Sequence, residues 1–415
     1  MNMLFLSVKN VLAKPLSSLL SVLLFGFGVS IIVSIILVSS FLKQEISKNA
    51  EGIDLVVGAK GSPLQIILAS IFHIDFPTGN IALADANNLT KNRLISSAIP
   101  ISLGDSHKGY RIVGTTSKYP ELYQAELVSG VWFDGEMAAT IGSAVAKNLG
   151  LGLGDELESA HGLAEGGEGH AEHPFEVVGI MKPTGSVIDQ LILVSIASVW
   201  EVHAGHESHD HAEDDSLAHQ MVYLEKLSLE VTNEQLEEED ITSLLVEYRS
   251  PMAAVQLPRI VNETSNLQAA SPPYETARLF NIIGIGVEVV NILGLVIVIL
   301  SATSVFIALF NSLKERKYEL AIMRSMGATR SKIFRLILAE GLVLTIIGSL
   351  FGFGLAHFGF WILGFSVEQI ANMEAFFVNE EYFVLAGSFI VGIFASIVPA
   401  ALAYNSDISE TLSRA

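Results

Sequence analysis

Cysteine is absent from all 415 residues, so the chain has no disulfide framework and no thiolate chemistry. The dipeptide Gly-Lys is absent too, and with it any G-x-x-x-x-G-K-[ST] loop. The chain therefore does not cradle nucleotide phosphates in the P-loop manner; if ATP supplies energy, another polypeptide hydrolyses it. No H-E-x-x-H metalloprotease signature and no nucleophile elbow occur, so no enzymatic activity is expected. Basic side chains are scarce, with 24 Lys and Arg against 44 Asp and Glu and a formal net charge of -20. The imbalance sits between residues 43 and 276, where 34 acidic residues face 13 basic ones. Such a surface excludes nucleic acid, whose phosphates need a basic partner.

What the chain has is apolar length. Half of its residues are hydrophobic and its mean hydropathy is +0.49, which suits an integral membrane protein, surrounded by lipid, with a sizeable polar portion. Residues 15–42 carry no charge over 28 positions. A spanning helix needs about 20 apolar residues, whereas a secretory signal has a core of only about 7–15 and a cleavage site. The run reads as a retained first span behind a short segment, 1–14, that holds Lys9 and Lys14. Gly26 and Gly28 either mark close helix contact or are ordinary membrane-helix glycines. A second span with a projecting stalk occupies 277–313. As a helix, residues 279–313 extend about 52 Å at a rise of 1.5 Å per residue, beyond the ~30 Å hydrocarbon core, which leaves Glu288 near the outer interface. Third and fourth spans fall at 336–365 and 382–406, around an acidic outer loop, 366–381; residues 407–415 form a tail. Gly348 and Gly352 make a G-x-x-x-G pair in the third span, where His357 reads as packed or facing the bundle.

One short basic segment, 314–335, separates the second and third spans. Its seven Lys and Arg outnumber Glu315 and Glu319, the excess that marks a loop held in the cytoplasm. Tyr318, Ile322 and Met326 recur at i, i+4 and i+8, one stripe of a short helix. Gly327 is placed to close that helix in a left-handed conformation, and Thr329 or Ser331 to cap the next. On chemistry alone the segment either fixes topology or passes force to a soluble partner.

The wording YELAIMRSMGATRSKIF closely resembles the coupling-helix signature of the FtsX/MacB-type ABC transporter permeases, R-x-E-[IL]-[AG]-[IL]-[LM]-R-[AS]-[LM]-G-A-[ST]. The resemblance implies a docking element for a separate ABC ATP-binding subunit, with Glu319, Arg324, Gly327 and Ala328 at its fixed positions. It implies a multi-pass protein of the bacterial inner membrane with both termini cytoplasmic. Its partners would be a second permease copy, as homo- or heterodimer, and a periplasmic or outer-membrane protein. The work implied is export, lipoprotein extraction or mechanical signalling. Glu340 stands where the family often has an acidic residue and is expected to pair within the bundle or towards the coupling helix. The tail VPAALAYNSDISETLSRA resembles the family's ending, with Ile408 where proline is usual.

Residues 43–276 read as α+β. Strands are expected at 98–103, 110–115, 175–180, 191–194, 221–224 and 227–232, with 242–248 either a strand or a short helix. Helices are expected at 83–94, at 260–270, in the run closed by Gly150, and at 66–71, the last lying near the membrane face. The stretches RIVGTTSKYPELYQAELVSGVWF, AVAKNLGLGLGDEL and FEVVGIMKPTGSVIDQLILV resemble, in order, MacB-like periplasmic domains, which implies two lobes. The expected fold is thus four transmembrane helices plus a large extracytoplasmic α+β domain inserted between the first and second.

Eight of the eleven histidines lie in two polar loops, 161–173 and 203–219. They are His161, His170 and His173, then His203, His206, His209, His211 and His219, interleaved with Asp and Glu. Imidazole and carboxylate suit zinc or another divalent transition metal. Gly-rich, charged loops do not hold fixed tetrahedral geometry, so the expectation is weak, multi-site capture, against a merely solvated loop. A metal-responsive membrane receptor or adaptor without transport activity is the alternative function.

Overall fold

The computed structural model describes residues 3–160, 169–204, 220–365, 370 and 377–405. The chain divides into two units, Met1–Gln44 with Ile282–Ala415, and Glu45–Asn281.

The second unit is built on a ten-stranded mixed sheet. Its strands, with two small pairs, are β1 (Leu55–Ala59), β2 (Ile81–Ala82), β3 (Ile95–His107), β4 (Tyr110–Thr115), β5 (Leu127–Gly130), β6 (Ala138–Ile141) and β7 (Glu156–Ala160), then β8 (Gly169–Met181), β9 (Leu191–Ser195), β10 (Met221–Leu224), β11 (Leu229–Thr232), β12 (Asp240–Ile241), β13 (Ser243–Tyr248) and β14 (Leu267–Ala270). The order is β14-β1-β13-β3-β4-β9-β6-β8-β5, and β7 pairs with both β3 and β8. That double pairing closes β3, β4, β9, β6, β8 and β7 into a ring. The β4–β9 and β6–β8 pairs are parallel; the other pairs are antiparallel.

Period-two alternation explains why the open part of the sheet has a core on each side. Leu55, Val57, Leu244 and Val246 pack into one core, whereas Val56 and Leu245 enter another with Ile66, Ile67 and Tyr119. A third core, with Ile141, Leu157, Phe175 and Ile192, draws on the ring strands and on Val199 and Val202 of the helix Ile196–Ala204.

Three expectations are refined. The helix expected at 66–71 is Pro63–Ser70, and its Ile66 and Ile67 are core residues. The helix expected at 260–270 is Ala253–Thr264; the chain then extends at Ser265 and forms β14, whose Leu267 and Ala269 are buried. Of the two alternatives at 242–248, Ser243–Tyr248 forms a strand, β13. Gly150 closes the helix Ser143–Leu149 in the left-handed region, as expected.

Among the described residues, four helices are long and apolar enough to cross a membrane: Pro15–Asn49, Glu288–Glu315, Arg330–Gly364 and Glu381–Asn405. The segment 1–14 adds a helix of its own, Met3–Leu12. The third long helix starts at Arg330, inside the segment assigned from sequence to the basic loop. Glycine permits its close contact with the first long helix. A Cβ at Gly352 would stand 2.4 Å from the Gly26 carbonyl oxygen, and one at Gly26 would stand 2.4 Å from the Phe351 ring. The glycine pair of the third helix therefore serves close backbone approach, as packing between helices in lipid requires.

One buried titratable group gives the second unit a pH dependence. His73, in the left-handed region at φ 55°, is buried with its Nε2 2.9 Å from the Tyr119 hydroxyl. Burial, with Arg111 as a lesser cause, pushes its pKa from 6.5 down to about 3. The fold holds the ring neutral while the unfolded chain binds a proton. The stability this supplies is complete above pH 6.5 and is lost as pH falls towards 3, at up to about 1.4 kcal/mol per pH unit. His73→Asn, which tolerates the same backbone, should therefore lose stability less steeply than wild type across that window in denaturant titrations. Parallel pH profiles would contradict the assignment.

A candidate coupling site on the third long helix

The basic segment folds into one short helix, Lys317–Ser325, held at both ends. Arg316 stands at its N-cap. The guanidinium donates through Nε to Glu319 Oε2 at 2.9 Å and through Nη1 to Glu340 Oε1 at 3.0 Å. Glu340 is 3% exposed, and Asn10 Nδ2 donates to the same oxygen. Lys14 pairs with Glu315, so two residues of the N-terminal segment meet this junction. At the other end Gly327 adopts φ 99°. Its N–H donates to the Arg324 carbonyl and the Ala328 N–H to the Met323 carbonyl, both at 3.0 Å, the paired bonds of a Schellman cap. Thr329 then caps the next helix by accepting from the Lys332 N–H.

The helix has two faces. Leu320 and Ala321 are buried, and Leu320 packs with Leu313, Ile333, Ile337, Ala400 and Ala403. Tyr318, Ile322 and Met326 are 51%, 38% and 82% exposed. The apolar stripe read from the sequence is thus the outward face. Of the predicted residues, Glu319 is exposed and held by Arg316, Arg324 is half-buried, Gly327 and Ala328 build the cap, and Glu340 is joined to Arg316.

Residues 18–254 match the family model of the MacB-like periplasmic core domain, and residues 291–408 match that of the FtsX-like permease C-terminal domain. The chain belongs to the FtsX/MacB-type ABC transporter permeases. The macrolide export ATP-binding/permease protein MacB of Rhodopirellula baltica is 26% identical to this permease over 198 residues, 44% of the chain. The match spans only 28% of that relative's length. The periplasmic region of MacB from Actinobacillus actinomycetemcomitans is similar at 14% identity and TM-score 0.34, covering 57% of the permease and 99% of that structure. The extracellular domain of the noncanonic ABC-type transporter YknZ from Gram-positive bacteria follows at 14% identity and TM-score 0.31, over 53% and 99%.

Sequence reasoning placed Glu340 and expected it to pair within the bundle or towards the short helix, where Arg316 meets it; it missed Asn10 and Lys14, because contacts across more than 300 residues leave no local pattern. His357 does face the bundle: its Nε2 lies 3.5 Å from Glu381 Oε2, with both residues buried. Among the predicted metal residues, His161, His206, His209, His211 and His219 lie outside the described residues. The backbones of His170 and His173 lie in β8, and that of His203 lies in the helix Ile196–Ala204. Among the described residues, no group of three or more His, Cys, Asp or Glu is arranged to hold a metal ion.

Removing one partner of a buried ion pair leaves an uncompensated charge. Arg316→Ala should therefore destabilise the detergent-solubilised permease by about 3 kcal/mol. Adding Glu340→Leu should recover more than half of that loss in thermal denaturation. Strictly additive losses would show that the pair does not hold the helix.

Proposed function

We propose that this permease works in a bacterial inner membrane with both termini cytoplasmic, and that a separate ATP-binding subunit docks on the outward stripe Tyr318, Ile322 and Met326. The observation that carries this reading is the two-faced helix, locked on its inner side by Arg316 and Glu340 while its outer side presents large apolar groups. A rigid element of this kind passes a displacement to the third long helix instead of absorbing it. The second unit has matching handles. Lys48 Nζ donates to the carbonyls of Thr184 and Gly185 at 2.9 and 3.0 Å, and the Val187 N–H donates to Asn49 Oδ1 at 2.7 Å. The last turn of the helix Pro15–Asn49 is thereby tied to the loop before β9, and β14 leads at Pro272 into the helix Pro272–Glu315. Movement of these helices would be delivered to the extracytoplasmic domain, for export, lipoprotein extraction or mechanical signalling. ATP-binding subunits act in pairs, which calls for a second permease copy, and a periplasmic or outer-membrane protein is a further partner.

The histidine-rich segments supply a metal-linked element to the same proposal, through capture of zinc or another divalent transition metal. A metal-responsive receptor or adaptor without transport would share that element but not the docked ATPase. The two readings separate on one experiment. Affinity-purified permease should bring down its ATP-binding subunit, and Tyr318→Asp with Met326→Asp should cut that recovery at least tenfold. Tyr223→Asp, at an exposed position in β10, should leave it unchanged. Undiminished recovery in the double variant would overturn the docking assignment.

A further inference from the structure

Beside the last turn of the helix Pro15–Asn49 lies a cavity of about 460 Å³, inside the range of about 300–1,000 Å³ typical of small-ligand clefts. Its lining carries four charged side chains, Lys48, Glu51, Glu126 and Lys182. Two of them satisfy each other. Lys182 Nζ lies 2.6 Å from Glu126 Oε2, and the Lys182 N–H donates to the Glu126 carbonyl at 2.7 Å. The other two are unmatched: among the described residues, neither Lys48 nor Glu51 has an ion-pair partner. Glu45, earlier in the same helix, is already engaged, accepting from Asn49 Nδ2 at 3.0 Å.

The backbone around them fixes both groups. Lys48 Nζ spends two of its three N–H donors on the Thr184 and Gly185 carbonyls, so its head is positioned and one donor remains. That approach depends on glycine, because Gly185 adopts φ 67° and a Cβ there would stand 3.1 Å from Lys48 Nζ. Asp189 holds the turn by accepting from the N–H groups of Thr184 and Gly185. Glu51 follows where the helix ends: its N–H donates to the Lys48 carbonyl at 3.4 Å, and Gly52 turns the chain at φ 81°. Leu122 and Pro183 add apolar lining. A placed ammonium and a carboxylate in one cavity suit a ligand that carries an anion and a primary ammonium, each held by charge-assisted hydrogen bonds. The place of the cavity along the chain indicates the source. Lys48 lies six residues beyond Leu42, the last residue of the uncharged run, in the same helix. That is about 9 Å at 1.5 Å per residue. A bilayer of ~40–45 Å around a ~30 Å hydrocarbon core has a headgroup layer of ~5–8 Å on each side. Lys48 therefore stands at the margin of that layer.

We propose that this cavity takes the phosphoethanolamine headgroup of a membrane phospholipid, with its phosphate on Lys48 and its ammonium on Glu51. Free phosphoethanolamine shares that chemistry; the apolar lining and the short distance to the headgroup layer favour the lipid. A bound headgroup would add lipid to the tie between this helix end and the loop before β9. The proposal goes beyond the docking of an ATP-binding subunit and rests only on the reading of the first long helix as a membrane span.

The probe is dihexanoyl phosphatidylethanolamine, titrated calorimetrically into the full chain in detergent, with dihexanoyl phosphatidylglycerol and free phosphoethanolamine run in parallel. One phosphatidylethanolamine per chain is expected to bind, about tenfold tighter or more than either of the others. Glu51→Gln should weaken it by about tenfold or more and leave phosphatidylglycerol, which has no ammonium, unaffected. Lys48→Gln should weaken it to a similar degree, whereas Lys60→Gln, at an exposed lysine outside the cavity, should not. Because Lys48 also ties the 184–185 turn, circular dichroism checks the fold of that variant. Should it fail to fold, Glu51→Gln decides the matter alone, since the Glu51 side chain makes no hydrogen bond among the described residues. Unchanged binding in Glu51→Gln, or an equal loss in Lys60→Gln, would overturn the site. Free phosphoethanolamine binding as tightly as the lipid would overturn the lipid as its source. Absence of binding by the wild type would overturn the proposal and leave the docking of the ATP-binding subunit, read by its recovery with the permease, untouched.

Discussion

A carboxylate buried among apolar helices is the constraint around which the first unit is arranged. Glu340 is 3% exposed on the third long helix, where an unpaired charge would be costly. Arg316 and Asn10 meet that charge from two other helical segments. Since Arg316 is also the N-cap of the short basic helix, pairing with Glu340 fixes where that helix begins. The left-handed Gly327 fixes where it ends. Leu320 and Ala321 settle which face turns inward, and Tyr318, Ile322 and Met326 are left outward as a consequence.

The remaining features follow the same economy of contact. Gly26 and Gly352 let two helices approach closely enough for carbonyl oxygens and ring edges to fill the interface. In the second unit the pattern of β1 and β13, apolar on both faces, demands a core on each side of the sheet, and β7 folds the rest into a ring with a core of its own. Hydrogen bonds from Lys48 and to Asn49 then fasten a helix end to that framework.

Much of this was legible from residue order. Uncharged runs marked the long helices, the i, i+4, i+8 stripe marked the short one, and Gly327 and Thr329 marked its borders, because each is a local signal with a local cause. The stripe's orientation was not legible: periodicity tells that a helix has an apolar face, not whether the protein covers it. That the helix Pro63–Ser70 packs into a core was not legible either, since an apolar turn reads alike whether it meets a core or a membrane. The 260–270 segment switched from helix to strand at Ser265, where pairing with β1 overrides helical propensity. The contact between Asn10 and Glu340 depends on packing across 330 residues, which no window of sequence contains.

The cysteine-free chain allows the central claim to be tested with a single label. In the Met326→Cys variant, a membrane-impermeant maleimide should react in inverted membrane vesicles and not in intact spheroplasts, while Tyr223→Cys should show the reverse. Reaction of Met326→Cys from outside the cell would put the short helix on the side away from any ATP-hydrolysing partner and would contradict the account.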